Sequence, residues 1–365
     1  MSVALTIGGL VALVIAVATA IARRRRRRGK DAGHREDVSA LSPAATTSTA
    51  PEPVAASGNM PDALPAELKS LSTTLWASTL SAVRFEFEVP PGHEPVMLAA
   101  RKALAADPLA DRYFPRRPLL MPQLLAAVND PDAPPLKLAE IIAQDPVLTG
   151  NILRLANSVY FRLSSVPVES IQRAVVVCGT DGLQSLAATA LVQPVFRANS
   201  EQHSRFPAVL WERSTQASIA AEACARKWCP ADRQAAQLLA LLSALGPLVA
   251  YRVVQDQYRA QPKLPPAPAV FLQVIDRFSQ VMAARIATLW QSPPRLIAVL
   301  QGEAPHEPLA RALCAGELLA TLSLLAAEGR LSDAECGTRA AAAGIVAPLF
   351  AAVWARLHPP AEPAS

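Results

Sequence analysis

Charge and aromatic rings are both scarce in this chain. Of 365 residues, 18% are charged and 5% aromatic, against 51% apolar. A chain so rich in alanine and leucine is globular or membrane-linked, and a wholly disordered chain is excluded. A broad basic face is also missing. The net charge is +5, and residues 1–60 hold eight basic against four acidic groups, so the remainder is close to neutral. Non-specific nucleic-acid binding, which needs many cations on one surface, is therefore not expected.

Sequence signatures of chemistry are equally sparse. Five cysteines (Cys178, Cys224, Cys229, Cys314, Cys336) are odd in number, and no CxxC pair occurs. This argues against a zinc ribbon or a redox dithiol and for free, mostly buried thiols. No helical HExxH, GxSxG, Walker loop or GxGxxG is present, and no histidine is followed by aspartate. The histidines (His34, His93, His203, His306, His358) lie in polar stretches, beside proline, or near the end, as surface residues do. No cofactor is expected. Carboxylates are scattered, and no pair stands out by spacing.

Long uncharged runs do occur. Residues 3–22 carry no charge for twenty positions, and Arg23 to Arg28 follow at once. At 1.5 Å per residue this run spans roughly 30 Å, the thickness of a bilayer's hydrocarbon core. A cleavable signal peptide has its positive charge before the apolar run, the reverse of the order here. Residues 1–28 are therefore expected to be a transmembrane anchor. The positive-inside rule puts the arginines, and all that follows, in the cytoplasm. Contact of Arg23–Arg28 with anionic lipid is compatible with the same reading. Residues 29–66, rich in Ala, Ser, Thr and Pro, read as a flexible linker.

Nothing alternates with period two for long, so the fold class is expected to be all-α. The apolar pattern predicts a helix over 67–88, whose end "RFEFEV" reads equally as a strand, and another over 95–106. Next come 123–129 and a helix opened by Asp145 as N-cap with Pro146 at its first position. Further helices are predicted at 168–177, 181–193, 208–228, 233–256, 268–290, 294–301, 307–328 and 332–357. The stretch "LLALLSALGPLV" at 238–249 is too short to span a membrane and reads as a core helix, with Gly246-Pro247 setting a kink or an end.

The segment from "LLMPQLL" through "IIAQDPVLTGNILRLANSVYF" to "IQRAVVVCGTDGLQSL" resembles the HDOD domain, an HD-related output domain of bacterial signalling proteins. Asp145, Pro146, Leu155, Asn157, Ser158, Tyr160, Gly179, Trp211 and Gly246 fall on its pattern. The resemblance implies an HDOD-like domain over 115–305, a helical segment before it (67–114) and a helical extension after it (306–358). HD phosphohydrolases of related fold hold divalent metal with histidines and a His-Asp pair. The resemblance puts Arg213, Ser243, Ala244 and Ser279 in ligand positions, and roughly Glu303-Ala304 in a His-His region. Serine and alanine do not replace imidazole and carboxylate, and Arg213 repels a cation. The implied role is a non-catalytic signalling output module at the bacterial inner membrane, acting through a protein partner. Three rivals remain: a sensor of cyclic dinucleotides in the vacated pocket, a divergent phosphohydrolase, and a purely structural anchor.

The individual residues also have structural readings. Asn157 and Ser158 are expected to satisfy backbone groups at a helix end. Arg154 and Arg173 fit solvated faces, and Trp211 and Trp290 fit core anchors. The terminal "AAAAGIVAPLFAAVWARL" reads as a helix packed on the domain, with a homodimer stripe as its alternative.

Overall fold

Proline marks where most helices begin. It has no N–H to leave unpaired, and its φ is preset near the helical value, so it fits the first turn. The computed structural model describes residues 63–80, 88–106, 113, 138–139, 141–142, 146–158, 160–163, 166–197 and 205–358. In it, proline sits in the opening turn of α2 (Glu94–Ala105), α3 (Pro146–Ala156), α5 (Phe206–Trp228), α8 (Pro268–Leu289), α9 (Pro294–Gln301), α10 (Pro308–Ala327) and α12 (Ala347–Leu357). The other helices are α1 (Ala63–Thr79), α4 (Ile171–Arg197), α6 (Arg233–Ser243), α7 (Leu245–Arg259) and α11 (Asp333–Ala342). No strand occurs among the described residues. The expected anchor (3–22), its arginine flank (Arg23–Arg28), the linker to residue 62, the "RFEFEV" segment at 84–89 up to residue 87, the helix at 123–129 and Asp145 lie outside them.

Two breaks differ from the expected helices, each for a local reason. Residues 233–256 form two helices, because Pro247 has no N–H to donate to the Ser243 carbonyl and the first ladder stops there. Residues 332–357 also form two, split where Gly344 turns left-handed at φ 78°. The two helices expected at 168–177 and 181–193 do meet at a break, a kink at Gly179 (φ 71°, ψ −177°) within α4. An L-residue is strained at that φ, so the kink belongs to glycine.

The core is built on α10, which is apolar on nearly all sides. It packs along α5, where Ala217, Ala220, Ala221 and Ala225 allow a close approach, and its other flank meets α1. α7 pairs with α8, and α2 closes on both. Among the described residues, two segments are long and apolar enough to cross a membrane, Pro230–Arg259 and Pro308–Ala327, and they are 89% and 78% buried inside the protein. They are core helices here. Trp290 is fully buried, whereas Trp211 is half-buried at the edge of the core. α12 lies against α5 and α10, burying Val353 and Leu357.

Candidate functional site

The α6–α7 break at Ala244 and the crossing of α7 over α8 together define one corner of the core. At this crossing a side chain has no room. A Cβ built on Gly246 would lie 1.9 Å from the Ser279 carbonyl oxygen. Glycine thus lets the first turn of α7 touch the α8 backbone, and Ser243 and Ser279 line the same cavity. Ala244 is buried behind them. The Ser279 hydroxyl donates to the Ile275 carbonyl of its own helix.

Arg213 of α5 enters this corner from the opposite side. Its side chain is only 7% exposed, and its Nη2 lies 3.7 Å from Glu317 Oε2 on α10. Nε donates to Thr321 Oγ1 at 2.9 Å, and Nη2 to Ser72 Oγ of α1 at 3.4 Å. The Trp76 ring lies beneath the guanidinium, 5.2 Å from its centroid, a cation–π arrangement. Ser243 donates to the second carboxylate oxygen of Glu317. Burial lowers the Arg213 pKa and the Glu317 charge opposes that shift. A guanidinium remains protonated at neutral pH all the same. The corner is therefore a closed polar network, each charge answered by another and by hydroxyls.

The structure thus gathers Arg213, Ser243 and Ser279 around one cavity, and adds Glu317, Thr321, Ser72 and Trp76, which the sequence reading did not single out. One signal for Glu317 was available. It is the only acidic residue in α10, a helix dominated by alanine and leucine. A lone carboxylate in a buried stripe needs a buried partner. Ala304 lines the cavity and Glu303 is exposed.

The other signature residues stand elsewhere and hold backbone. Pro146 opens α3, and Leu155 is buried on it. The Asn157 side chain donates to the Leu153 and Val168 carbonyls, both at 2.8 Å, and accepts from the Val168 N–H at 2.7 Å. It thereby imitates a peptide unit and clamps the loop after α3. Ser158 donates to the Leu155 carbonyl at 2.7 Å. Tyr160 accepts from the Gln216 amide at 3.0 Å and donates to Glu212 at 3.2 Å, which ties that loop to α5. Arg154 is bonded to Asn151 on its own helix.

An all-helical body with these residues in this order agrees with the family comparison, in which the HDOD domain model matches residues 114–305. That match spans more than half of the chain. The chain belongs to the HDOD family. No curated protein matches it. Among solved structures, it is similar to an HDOD domain protein with unknown function from Geobacter sulfurreducens (18% identity, TM-score 0.49, covering 73% of this chain and 99% of that one). A Shewanella amazonensis protein named "Putative phosphohydrolase" gives 21% identity and TM-score 0.49, covering 71% and 93%. The MmoQ response regulator from Methylococcus capsulatus gives 22% identity and TM-score 0.34, covering 63% and 95%. Likeness of this degree decides nothing about chemistry.

The HDOD match extends over α3 to α9, but the packed body is larger. α1 and α2 before it and α10 after it share its core. The chemistry of the corner is decided by its donor set. A divalent ion of the HD type needs several imidazoles and carboxylates. Arg213, Ser243, Ser279 and Glu317 offer one carboxylate, already held by a guanidinium, and two neutral hydroxyls. These residues do not fit such an ion. Among the described residues, no group of three or more His, Cys, Asp or Glu side chains is placed to hold a metal.

Proposed function

We propose that this HDOD protein is a non-catalytic output module of bacterial signal transduction, tethered to the inner membrane by residues 3–22 and acting through contact with a protein partner. The observation that carries the reading is the Arg213–Glu317 pair. At the place the family resemblance assigns to metal ligands, a buried cation and a buried carboxylate neutralise each other, with Ser243 and Thr321 completing the network. Metal-assisted attack on phosphate requires a bound divalent ion to activate water. A fixed guanidinium in that corner repels one. What remains is a rigid helical surface, suited to recognition.

The anchor reading rests on twenty uncharged residues followed by six arginines. It places the helical body at the cytoplasmic face, within reach of membrane-bound partners. In vivo crosslinking of the full chain in native membranes, followed by peptide mapping, tests the role. A defined protein crosslinked to residues 63–358 is the expected result. Crosslinks to lipid alone, together with Mn²⁺-dependent phosphodiester hydrolysis by the purified full chain, would overturn it.

A further inference from the structure

The polar corner forms the floor of a cavity of about 1060 Å³. α1 provides one wall, and α8, α9 and α10 provide the others. Small-molecule sites typically measure roughly 300–1,000 Å³, are mostly apolar, and carry a few fixed polar groups. This cavity has that make-up: Leu272, Ile275, Val299, Leu300 and Leu313 supply apolar wall.

Its charges decide which class of ligand fits. Two cations and two carboxylates line it, and each is paired. Arg213 faces Glu317 at the floor, and Lys69 meets Asp276 at 3.1 Å on the rim. An anionic ligand such as a nucleotide would have to displace Glu317 from Arg213 in a low-dielectric corner and then lie beside two carboxylates. That exchange replaces one buried pair with another and adds repulsion. The uncharged polar groups, which include the Gln273 and Gln280 amides as well as hydroxyls, suit an uncharged hydrogen-bonding ligand instead. Thr73 and Ser279 spend their hydroxyl protons on their own helices, on the Lys69 and Ile275 carbonyls. Their oxygens keep lone pairs that can only accept.

We propose that this cavity is a binding site for an uncharged, amphipathic small molecule, with an apolar body and a hydroxyl or amide donor. The site is independent of the absence of catalysis proposed above. Because α1 forms one wall and also supplies Ser72 and Trp76 to Arg213, a ligand seated there touches the helix that leads out of residues 1–62.

The test uses the full chain and two photoreactive probes of one shape. One is 4-(3-trifluoromethyl-diazirin-3-yl)benzyl alcohol, which is neutral and carries a donor; the other is its benzoic acid counterpart, an anion. After illumination, labelled peptides are mapped by mass spectrometry. The alcohol is expected to label α1 and the α9–α10 region at least about fivefold above the benzoate. Filling the cavity by Ala304→Trp, or separately by Ser279→Leu, is expected to cut that labelling about tenfold. Melting temperature and circular dichroism identify a variant that has lost its fold, in which case the other variant decides. Equal or stronger labelling by the benzoate, labelling unchanged in both folded variants, or no labelling of the cavity walls in the full chain would each overturn the proposal.

Discussion

Arg213 on α5 and Glu317 on α10 meet 3.7 Å apart in the protein interior, joining the two helices whose contact is the most extensive in the fold. Removing one member leaves the other charge buried and alone. Glu317→Ala is therefore expected to cost about 3–5 kcal/mol of folding stability, measured by urea unfolding. Replacing both, as Arg213→Met with Glu317→Leu, is expected to be close to neutral. If the single and double variants lose equal stability, the pair is not the unit described.

At the α7–α8 crossing, Gly246→Ala forces a methyl group into the Ser279 carbonyl. Backbone cannot move aside as a flexible side-chain tip can, and overpacking on this scale costs about 3 kcal/mol. Thermal unfolding of this variant against wild type is the check. An unchanged midpoint would mean that α7 and α8 do not cross so closely.

The Asn157 clamp makes a smaller prediction of a different kind. Asn157→Ala deprives both the Val168 N–H and the Val168 carbonyl of their partner, at about 2 kcal/mol. Asn157→Asp keeps the acceptor and loses the donors, so it is expected to lie between. Hydrogen exchange at the Val168 amide reports the clamp directly and should speed up in Asn157→Ala.

The buried thiols predict an alkaline loss of stability. Burial pushes Cys224 up to about 12 and Cys336 up to about 11, from an ordinary value of 9.0. A raised folded-state pKa means that the unfolded chain releases its thiol protons first. The stability is complete below pH 9 and drains away as pH rises toward 11 and 12. At pH 10 each thiol is expected to account for about 1 kcal/mol. Urea unfolding at pH 8 and pH 10 should show a flatter pH dependence in Cys224→Ala than in wild type.

The helical class was legible from the sequence because apolar residues recur at helical spacing and proline and glycine punctuate them. α2, α5, α8, α9 and α10 begin and end within one or two residues of their expected bounds. The breaks at Ala244 and Gly344 were not placed, because apolar periodicity carries straight across both, and the stopping signals are single backbone effects at Pro247 and Gly344. The polar corner was half legible. The family pattern points at Arg213, Ser243 and Ser279, but their partners Ser72, Trp76, Glu317 and Thr321 come from helices outside that pattern. Pairing over such distances in sequence is decided by helix packing, which no local pattern records.

The central proposal is that the Arg213–Glu317 ion pair occupies the corner where the family resemblance would put an HD enzyme's metal. Calorimetric titration of the purified full chain with Mn²⁺, with metal content measured in parallel, tests it most directly. The account predicts no stoichiometric uptake and no Mn²⁺-dependent hydrolysis of bis(p-nitrophenyl) phosphate. Saturable uptake of a metal ion together with that hydrolysis, both abolished by Glu317→Gln, would contradict it.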